Sequence, residues 1–86
     1  MAETEIGRVT HYFNHINVAA IEITAGELKV GDTIHIKGHT SDFTTTVESI
    51  QIEHEQVQVA KVGDSIGIKV PEHAREHDSV YVVTPE

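Results

Sequence analysis

The chain has 86 residues, a formal net charge of −8, 38% hydrophobic residues and no cysteine. This length predicts one domain with a small core, so we expect residues 1–86 to fold as a single unit, and the lack of cysteine excludes disulfides and favours the cytoplasm. No apolar run approaches the roughly 18 residues of a membrane span, and the negative charge disfavours non-specific binding to nucleic acid.

Strand-forming segments recur along the chain, separated by turn residues. Residues 1–5 are polar and acidic, so we expect a disordered tail there and no signal peptide. The predicted strands are Ile6–Phe13, Asn17–Ile23, Thr33–Lys37, Phe43–Glu53, Val57–Ala60, Ser65–Val70 and Ser79–Val83. Short strands at this spacing, with turn signals between them, are typical of a β-barrel or sandwich.

The fourth predicted strand contains a change of phase. Its apolar residues change parity between Val47 and Ile50. Because neighbouring side chains on a strand point to opposite faces, this change predicts a β-bulge or a break near Glu48–Ser49. Pro71 ends the sixth predicted strand because it has no N–H to donate to a ladder, and Glu72–Glu76 has room for one helical turn.

The string Lys-Val-Gly-Asp occurs twice, as Lys29–Asp32 and as Lys61–Asp64. Glycine permits a turn conformation that other residues avoid, and aspartate bonds local backbone amides. Each copy precedes a strand in which two isoleucines alternate with other residues, so these isoleucines share one face. We predict that they point into the core: Ile34, Ile36, Ile66 and Ile68. The repeat therefore predicts a small barrel with internal pseudo-symmetry.

Several segments carry a resemblance to known barrels. Ile6–Thr10, Leu28–Asp32 and Ala60–Ile68 resemble domain two of the translational GTPases, the barrel that follows the nucleotide-binding domain in elongation factor Tu. A closer likeness is to the small C-terminal barrel of the collagenase-like peptidase family, which includes tRNA-hydroxylation proteins. The segments similar to its pattern are Gly7–Phe13, Ile34–Gly38, Asp42–Phe43, Ile50–Glu53 and Asp78–Val83. The resemblance implies an all-β fold, a closed six-stranded Greek-key barrel of the translation-factor domain 2 type.

The chain departs from these families in three ways. Their last turn usually reads Gly-Asp, whereas this chain has His77–Asp78, which puts a non-glycine residue where a left-handed backbone is needed. The phosphate loop G-x-x-x-x-G-K-[ST] is absent, so GTP binding does not carry over. The catalytic portion of the peptidase-like family is absent too. We therefore expect an accessory barrel standing alone, with no enzymatic activity and no cofactor.

The seven histidines raise the question of a metal site. His73 and His77 would share one face of a helix, and His11 and His15 flank a turn. A zinc site needs three or four ligands on a stable frame, and the segment after Pro71 is too short to hold itself helical. We predict no metal site. By its alternation with isoleucines, His35 is predicted to be an outward strand residue.

Three neighbouring residues have the side chains of a catalytic triad: His39, Ser41 and Asp42. Triads are built from residues that the fold brings together, not from sequence neighbours. The cluster is better interpreted as a turn, which Gly38 permits and which Ser41 and Asp42 stabilise through backbone hydrogen bonds. We predict no catalytic residue.

The candidate partner-binding residues are Arg8, Lys37, His39 and Lys69. The repeat gives Lys37 and Lys69 matched outward positions, and Arg8 belongs to the family pattern; scattered surface charges are the alternative. The resemblance implies a non-catalytic module that docks to a protein or RNA partner in translation or RNA modification. The rival hypothesis is a pure protein-interaction subunit of a separate peptidase-like enzyme, without RNA contact. The oligomeric state stays open.

Overall fold

The computed structural model describes residues 2–84, which form an all-β fold. Its strands are β1 (Ala2–Phe13), β2 (Val18–Ile23), β3 (Glu27–Lys29), β4 (Thr33–Lys37), β5 (Asp42–Thr46), β6 (Ile50–Ile52), β7 (Glu55–Val57), β8 (Val59–Lys61), β9 (Ser65–Lys69) and β10 (Ser79–Thr84). Glu72–Glu76, which has room for one helical turn, is irregular, with a bend at Glu72 and a turn that begins at Glu76. Residues 2–84 contain no helical segment that could span a lipid bilayer.

Eight strands form one antiparallel sheet in the order β5-β4-β10-β1-β2-β9-β6-β7, and β3 pairs with β8 in a separate ribbon. The long strand β1 pairs with both β10 and β2. Its register shifts between Glu5 and Gly7 on one side and between Val9 and His11 on the other. Such irregularities bend a strand and increase its twist. The sheet therefore curves around its apolar face.

The start of β1 differs from the sequence prediction. Residues 2–5 lie in the strand and not in a disordered tail, with Ala2 opposite Thr84 and Glu5 opposite Tyr81. Backbone hydrogen bonds to β10 order this segment, and such bonds do not require apolar side chains. Met1 lies outside the described residues.

The core is made of branched aliphatic side chains. The four isoleucines of the repeat are at most 2% exposed, which confirms their predicted inward direction. They pack with other buried residues of the same cluster, among them Ile21, Leu28, Phe43 and Val80. Burying a side chain of this size contributes roughly 1.5–3 kcal/mol. This core fixes which face of each strand points outward.

The two Lys-Val-Gly-Asp copies form equivalent corners before β4 and β9. Gly31 and Gly63 have φ values of 99° and 94°, in the left-handed region. In each corner the aspartate side chain accepts a hydrogen bond from the backbone N–H three residues earlier: 2.9 Å in Lys29–Asp32 and 2.8 Å in Lys61–Asp64. The predicted turn chemistry is confirmed in both copies.

A third corner of the same kind precedes β10. The Oδ2 of Asp78 accepts a hydrogen bond from the N–H of Arg75 at 2.9 Å, and the N–H of Asp78 donates to the carbonyl of Arg75. His77 takes the glycine position with a φ of 74°. The chain therefore keeps the left-handed backbone at this corner without the glycine that suits it.

The long fourth predicted strand is divided into shorter ones. β5 ends at Thr46 and β6 begins at Ile50, which confirms the predicted break. Glu53 and His54 both have positive φ, and they form the two-residue turn between β6 and β7. Positive φ at both central residues is typical of a type I′ hairpin. Residues 2–84 thus form ten strands, whereas the resemblance implied a barrel of six. That the sheet closes into a barrel stays a prediction.

Candidate partner-binding surfaces

Two of the predicted partner-binding residues lie in one row across the sheet. Arg8 of β1 is opposite Ser79 of β10, and Ser79 is opposite Lys37 of β4. Residues directly opposite one another share a face, and neighbouring strands are about 4.8 Å apart, so the two backbones lie about 10 Å apart. The fold brings Arg8 and Lys37 to the same outer face.

Each cation of this row has an acidic neighbour. The Nη2 of Arg8 lies 3.1 Å from the Oε1 of Glu22, its cross-strand partner on β2. Lys37 is opposite Asp42 of β5. Charges of alternating sign along a row largely cancel within a few ångströms of the surface. The row is therefore mixed in charge and does not form a uniformly basic patch.

The other two predicted residues lie apart from this row. Lys69 is opposite Val18, four residues along β9 from Ser65, which is opposite Glu22. At about 3.3 Å per residue this places Lys69 some 13 Å from the row along the strand. His39 is exposed in the turn between β4 and β5. The four candidate residues do not come together in one patch.

His35 lies between two carboxylates from different strands. Its Nδ1 is 2.9 Å from the Oε2 of Glu3 on β1, and its Nε2 is 2.5 Å from the Oδ1 of Asp42 on β5. The hydrogen bond to Asp42 raises the pKa of His35, with Glu3 acting in the same direction against the opposing effect of burial. In turn, the hydrogen bond from His35 lowers the pKa of Asp42. The three side chains clamp β1, β4 and β5 together.

The outward position of His35 agrees with the sequence prediction, although its side chain is only 14% exposed. The two carboxylates bind opposite nitrogens of the ring, so they cannot share one metal ion with it. Across the described part of the chain, no group of three histidine or acidic residues is arranged to hold a metal ion.

The cluster His39, Ser41 and Asp42 is not arranged as a triad. The hydroxyl of Ser41 donates to the backbone carbonyl of His73 at 3.4 Å. Asp42 bonds His35 and not His39. The Gly38 N–H donates to the carbonyl of Ser41, which closes the turn between β4 and β5. The cluster is therefore a turn, as predicted, but the prediction that Ser41 and Asp42 stabilise it is wrong for their side chains, which bond the carbonyl of His73 and the ring of His35.

A surface hollow that the sequence prediction missed lies between β1, β2, β6 and β9. It encloses about 380 Å³ and we call it the apolar groove. Among the residues that line it, we refer to Ala20 and Gly67 as the floor, to Phe13, Ile16 and Val18 as the apolar wall, and to Gln51, Glu53 and His54 as the polar rim.

The groove exists because its floor has small side chains. Gly67 is opposite both Ala20 of β2 and Gln51 of β6. In the first half of the repeat the matching position is His35, whose ring covers the sheet, whereas Gly67 leaves it bare. Phe13 is 46% exposed and Ile16 is 59% exposed at the wall. An apolar surface open to water in this way is typical of a binding site.

The family of the chain follows from a comparison of its sequence with family models. The model described as elongation factor Tu domain 2 matches residues 17–82. The chain belongs to the elongation factor Tu domain 2 family. The match runs from the start of β2 into β10. It confirms the resemblance noted from the segments around the Lys-Val-Gly-Asp corners.

Longer relatives of this domain 2 chain are named as a protease and as collagenases. An uncharacterized protease of Methanocaldococcus jannaschii is 42% identical over 80 residues, which are 92% of this chain and 19% of the relative. A collagenase of Porphyromonas gingivalis is 39% identical over 80 residues, 92% of this chain and 22% of that protein. The chain thus spans about a fifth of the length of these relatives, in agreement with the predicted likeness to the collagenase-like family.

Solved structures share the domain 2 fold. The C-terminal domain of a putative U32 peptidase from Geobacillus thermoleovorans superposes with a TM-score of 0.85 at 18% identity, covering 92% of this chain and 91% of that one. A selenomethionine variant of the same domain gives a TM-score of 0.84. At this identity the likeness shows a common fold.

Proposed function

We propose that this domain 2 barrel is a non-catalytic docking module whose main partner is protein, namely the remainder of a peptidase-like protein. The observation that supports protein over RNA is the distribution of cations. Arg8 is paired with Glu22, and Lys69 lies far from the Arg8–Lys37 row. RNA affinity rests on clustered, unpaired lysine and arginine, and the chain carries a net charge of −8.

The hydrogen bonds of the hydroxyl groups support a non-catalytic role. Thr10 donates to the carbonyl of Ala20, and Ser41 donates to the carbonyl of His73. A nucleophilic hydroxyl needs a base within hydrogen-bond reach, with a third group to orient that base. His35 is held by two carboxylates and has no such hydroxyl partner among the described hydrogen bonds. We assign the reaction of the longer relatives to the rest of their chains.

RNA is the second candidate partner because Arg8 and Lys37 share one outer row. The backbones that carry these two cations are about 10 Å apart, and each cation has an acidic residue beside it, so the row offers an RNA strand few free positive charges. The proposal keeps the cytoplasmic setting that the cysteine-free sequence favours.

We also propose that the sheet closes into the Greek-key barrel predicted from the sequence. The N–H of Gly31 donates to the carbonyl of Val47, just after β5, and the N–H of Val30 donates to the carbonyl of Gln58, just after β7. β5 and β7 are the two ends of the eight-stranded order. Bonds from one corner to both ends support closure through the β3 segment.

A binding measurement tests the docking proposal. The partner is the M. jannaschii protease from which the matched 80 residues have been deleted, hereafter the deletion variant. We expect the chain to bind it one to one with micromolar affinity, as domains within a protein do when separated. As a control, the excised 80 residues of that protease are titrated into the deletion variant. Binding of this native segment shows that the deletion variant is folded and competent to bind.

A transfer RNA is titrated in parallel at about 150 mM salt. The proposal predicts that it binds at least about tenfold more weakly than the deletion variant. Failure of the chain to bind a competent deletion variant at about 0.1 mM would overturn the proposal. Tight, salt-sensitive binding of the RNA that weakens on Lys37→Glu would replace protein by RNA as the main partner.

A further inference from the structure

We propose that the apolar groove is the docking site, and that it accepts a large apolar side chain with a lysine or arginine beside it, presented by the catalytic part of a peptidase-like protein. This inference rests on the proposed docking function and names the surface and the partner chemistry. Nothing in the names of the relatives assigns such a site to their matched region.

The shape of the groove suits one large side chain. Its floor at Ala20 and Gly67 leaves the sheet backbone accessible, and its volume of about 380 Å³ is near the lower end of the range of about 300–1,000 Å³ for small binding pockets. Interface energy is concentrated in a few large side chains that fill pockets of this kind. A single aromatic or leucine side chain from the partner would cover the floor.

The apolar wall of the groove is in contact with water, which is unfavourable, and a partner that covers the wall would remove this contact. Three large hydrophobic residues in residues 2–84 are strongly exposed: Phe13, Ile16 and Val62. Two of them line the groove, and Val62 stands alone in the Lys61–Asp64 corner. Single exposed apolar residues are ordinary on protein surfaces, whereas a group around a hollow indicates an interaction site.

The rim selects the charge of the partner. The residues that line the groove include the carboxylate of Glu53 and no lysine or arginine. In the described part of the chain, Glu53 has no ion-pair partner. It sits in the tight hairpin turn with His54, where two positive φ values hold the backbone in a defined shape. A carboxylate carried on this turn at the edge of an apolar hollow favours a cationic neighbour of the anchoring side chain.

The same charges disfavour the other occupants. An RNA strand would bring phosphates to a rim that has a carboxylate and no lysine or arginine. A second copy of the chain would place the same surface against itself in a two-fold contact, with a net charge of −8 on each side. The longer relatives have about four fifths of their length outside the matched region, so in those proteins the rest of the polypeptide is available to cover the matching surface.

The test measures the affinity of the deletion variant for matched pairs of surface variants of this chain. Ile16→Asp puts a charge on the groove wall, and Val62→Asp makes the same kind of change at a residue of equal exposure outside the groove. We expect Ile16→Asp to weaken binding about tenfold or more and Val62→Asp to change it less than about twofold.

The second pair tests the charge of the partner. Glu53→Lys reverses the rim charge, and Glu5→Lys makes the same reversal on β1, away from the groove. We expect Glu53→Lys to weaken binding about fivefold or more and Glu5→Lys to leave it unchanged. All four side chains are exposed, so unfolding midpoints close to that of the parent chain verify that each variant is folded.

The outcomes separate this inference from the proposed function. If the parent chain binds and Ile16→Asp binds as well as Val62→Asp, docking stands and the groove is not its site. If the parent chain does not bind a competent deletion variant, both proposals fall. If Ile16→Asp weakens binding of a transfer RNA and not of the deletion variant, the groove is an RNA site and the inference is overturned.

Discussion

The carboxylate of Asp78 occupies the space next to the Cα of Gly38 where a Cβ would lie. Asp78 is 4% exposed, and it holds the third corner by accepting the N–H of Arg75. Gly38 belongs to the turn between β4 and β5, so this contact joins two distant parts of the chain. The corner and the turn pack together only because residue 38 has no side chain.

Gly38→Ala is therefore expected to destabilise the fold by about 1–3 kcal/mol, because the added methyl group overlaps the Asp78 carboxylate. Denaturant unfolding measures the change. Gly67→Ala is the matched control: its Cβ would lie 3.3 Å from a methyl of the Val18 side chain, which can adjust. Equal losses of stability for the two variants would show that the contact with Asp78 is not the cause.

His77→Gly is expected to stabilise the fold by about 1 kcal/mol, since a non-glycine residue is strained at a φ of 74°. The converse change is Gly31→Ala in the first corner, where φ is 99° and a Cβ would meet no atom within 4 Å. Its expected loss of about 1–2 kcal/mol comes from the backbone alone. Thermal unfolding of both variants tests this, and a destabilised His77→Gly would contradict it.

The His35–Asp42 pair predicts a pH dependence of stability. The pKa of His35 is raised from 6.5 in the folded state, so its stabilisation is fully present below pH 6.5 and is lost as the pH rises through the folded pKa. The pKa of Asp42 is lowered from 3.8, so its stabilisation is present above pH 3.8 and is lost as the pH falls through the folded pKa. The pair stabilises most between these two values.

We expect His35→Gln to cost more stability at about pH 5.5 than at about pH 9. His39→Gln, at an exposed turn position, serves as the control and is expected to have the same small effect at both. NMR titration of the His35 ring checks the cause directly. A midpoint at or below 6.5 would contradict the clamp with Asp42 and Glu3.

The parts of the fold set by local chemistry were predictable from the sequence. The Gly-Asp corners and the inward isoleucines depend on turn residues and on alternation, which are visible along the chain. β3 was missed because it has three residues and one buried side chain, Leu28, and it exists through its pairing with β8. Residues 2–5 were missed for the same reason, since β10 orders them from the far end of the chain.

The candidate surfaces depended on register, which the sequence does not show. That Arg8 and Lys37 share a row follows from the pairing of β1, β10 and β4, and that Lys69 lies outside it follows from the pairing of β2 with β1 and β9. Two signals of the groove were present in the sequence: an apolar Ile16 within a polar turn, and Gly67 at the position where the first repeat has His35.

Hydrogen exchange of the chain, alone and bound to the deletion variant, tests the docking account most directly. The account predicts slower exchange in residues 13–18 and 65–67, which border the apolar groove, and unchanged exchange around Val62. Slowing confined to the row of Arg8 and Lys37, or no slowing at all when the complex has formed, would contradict it.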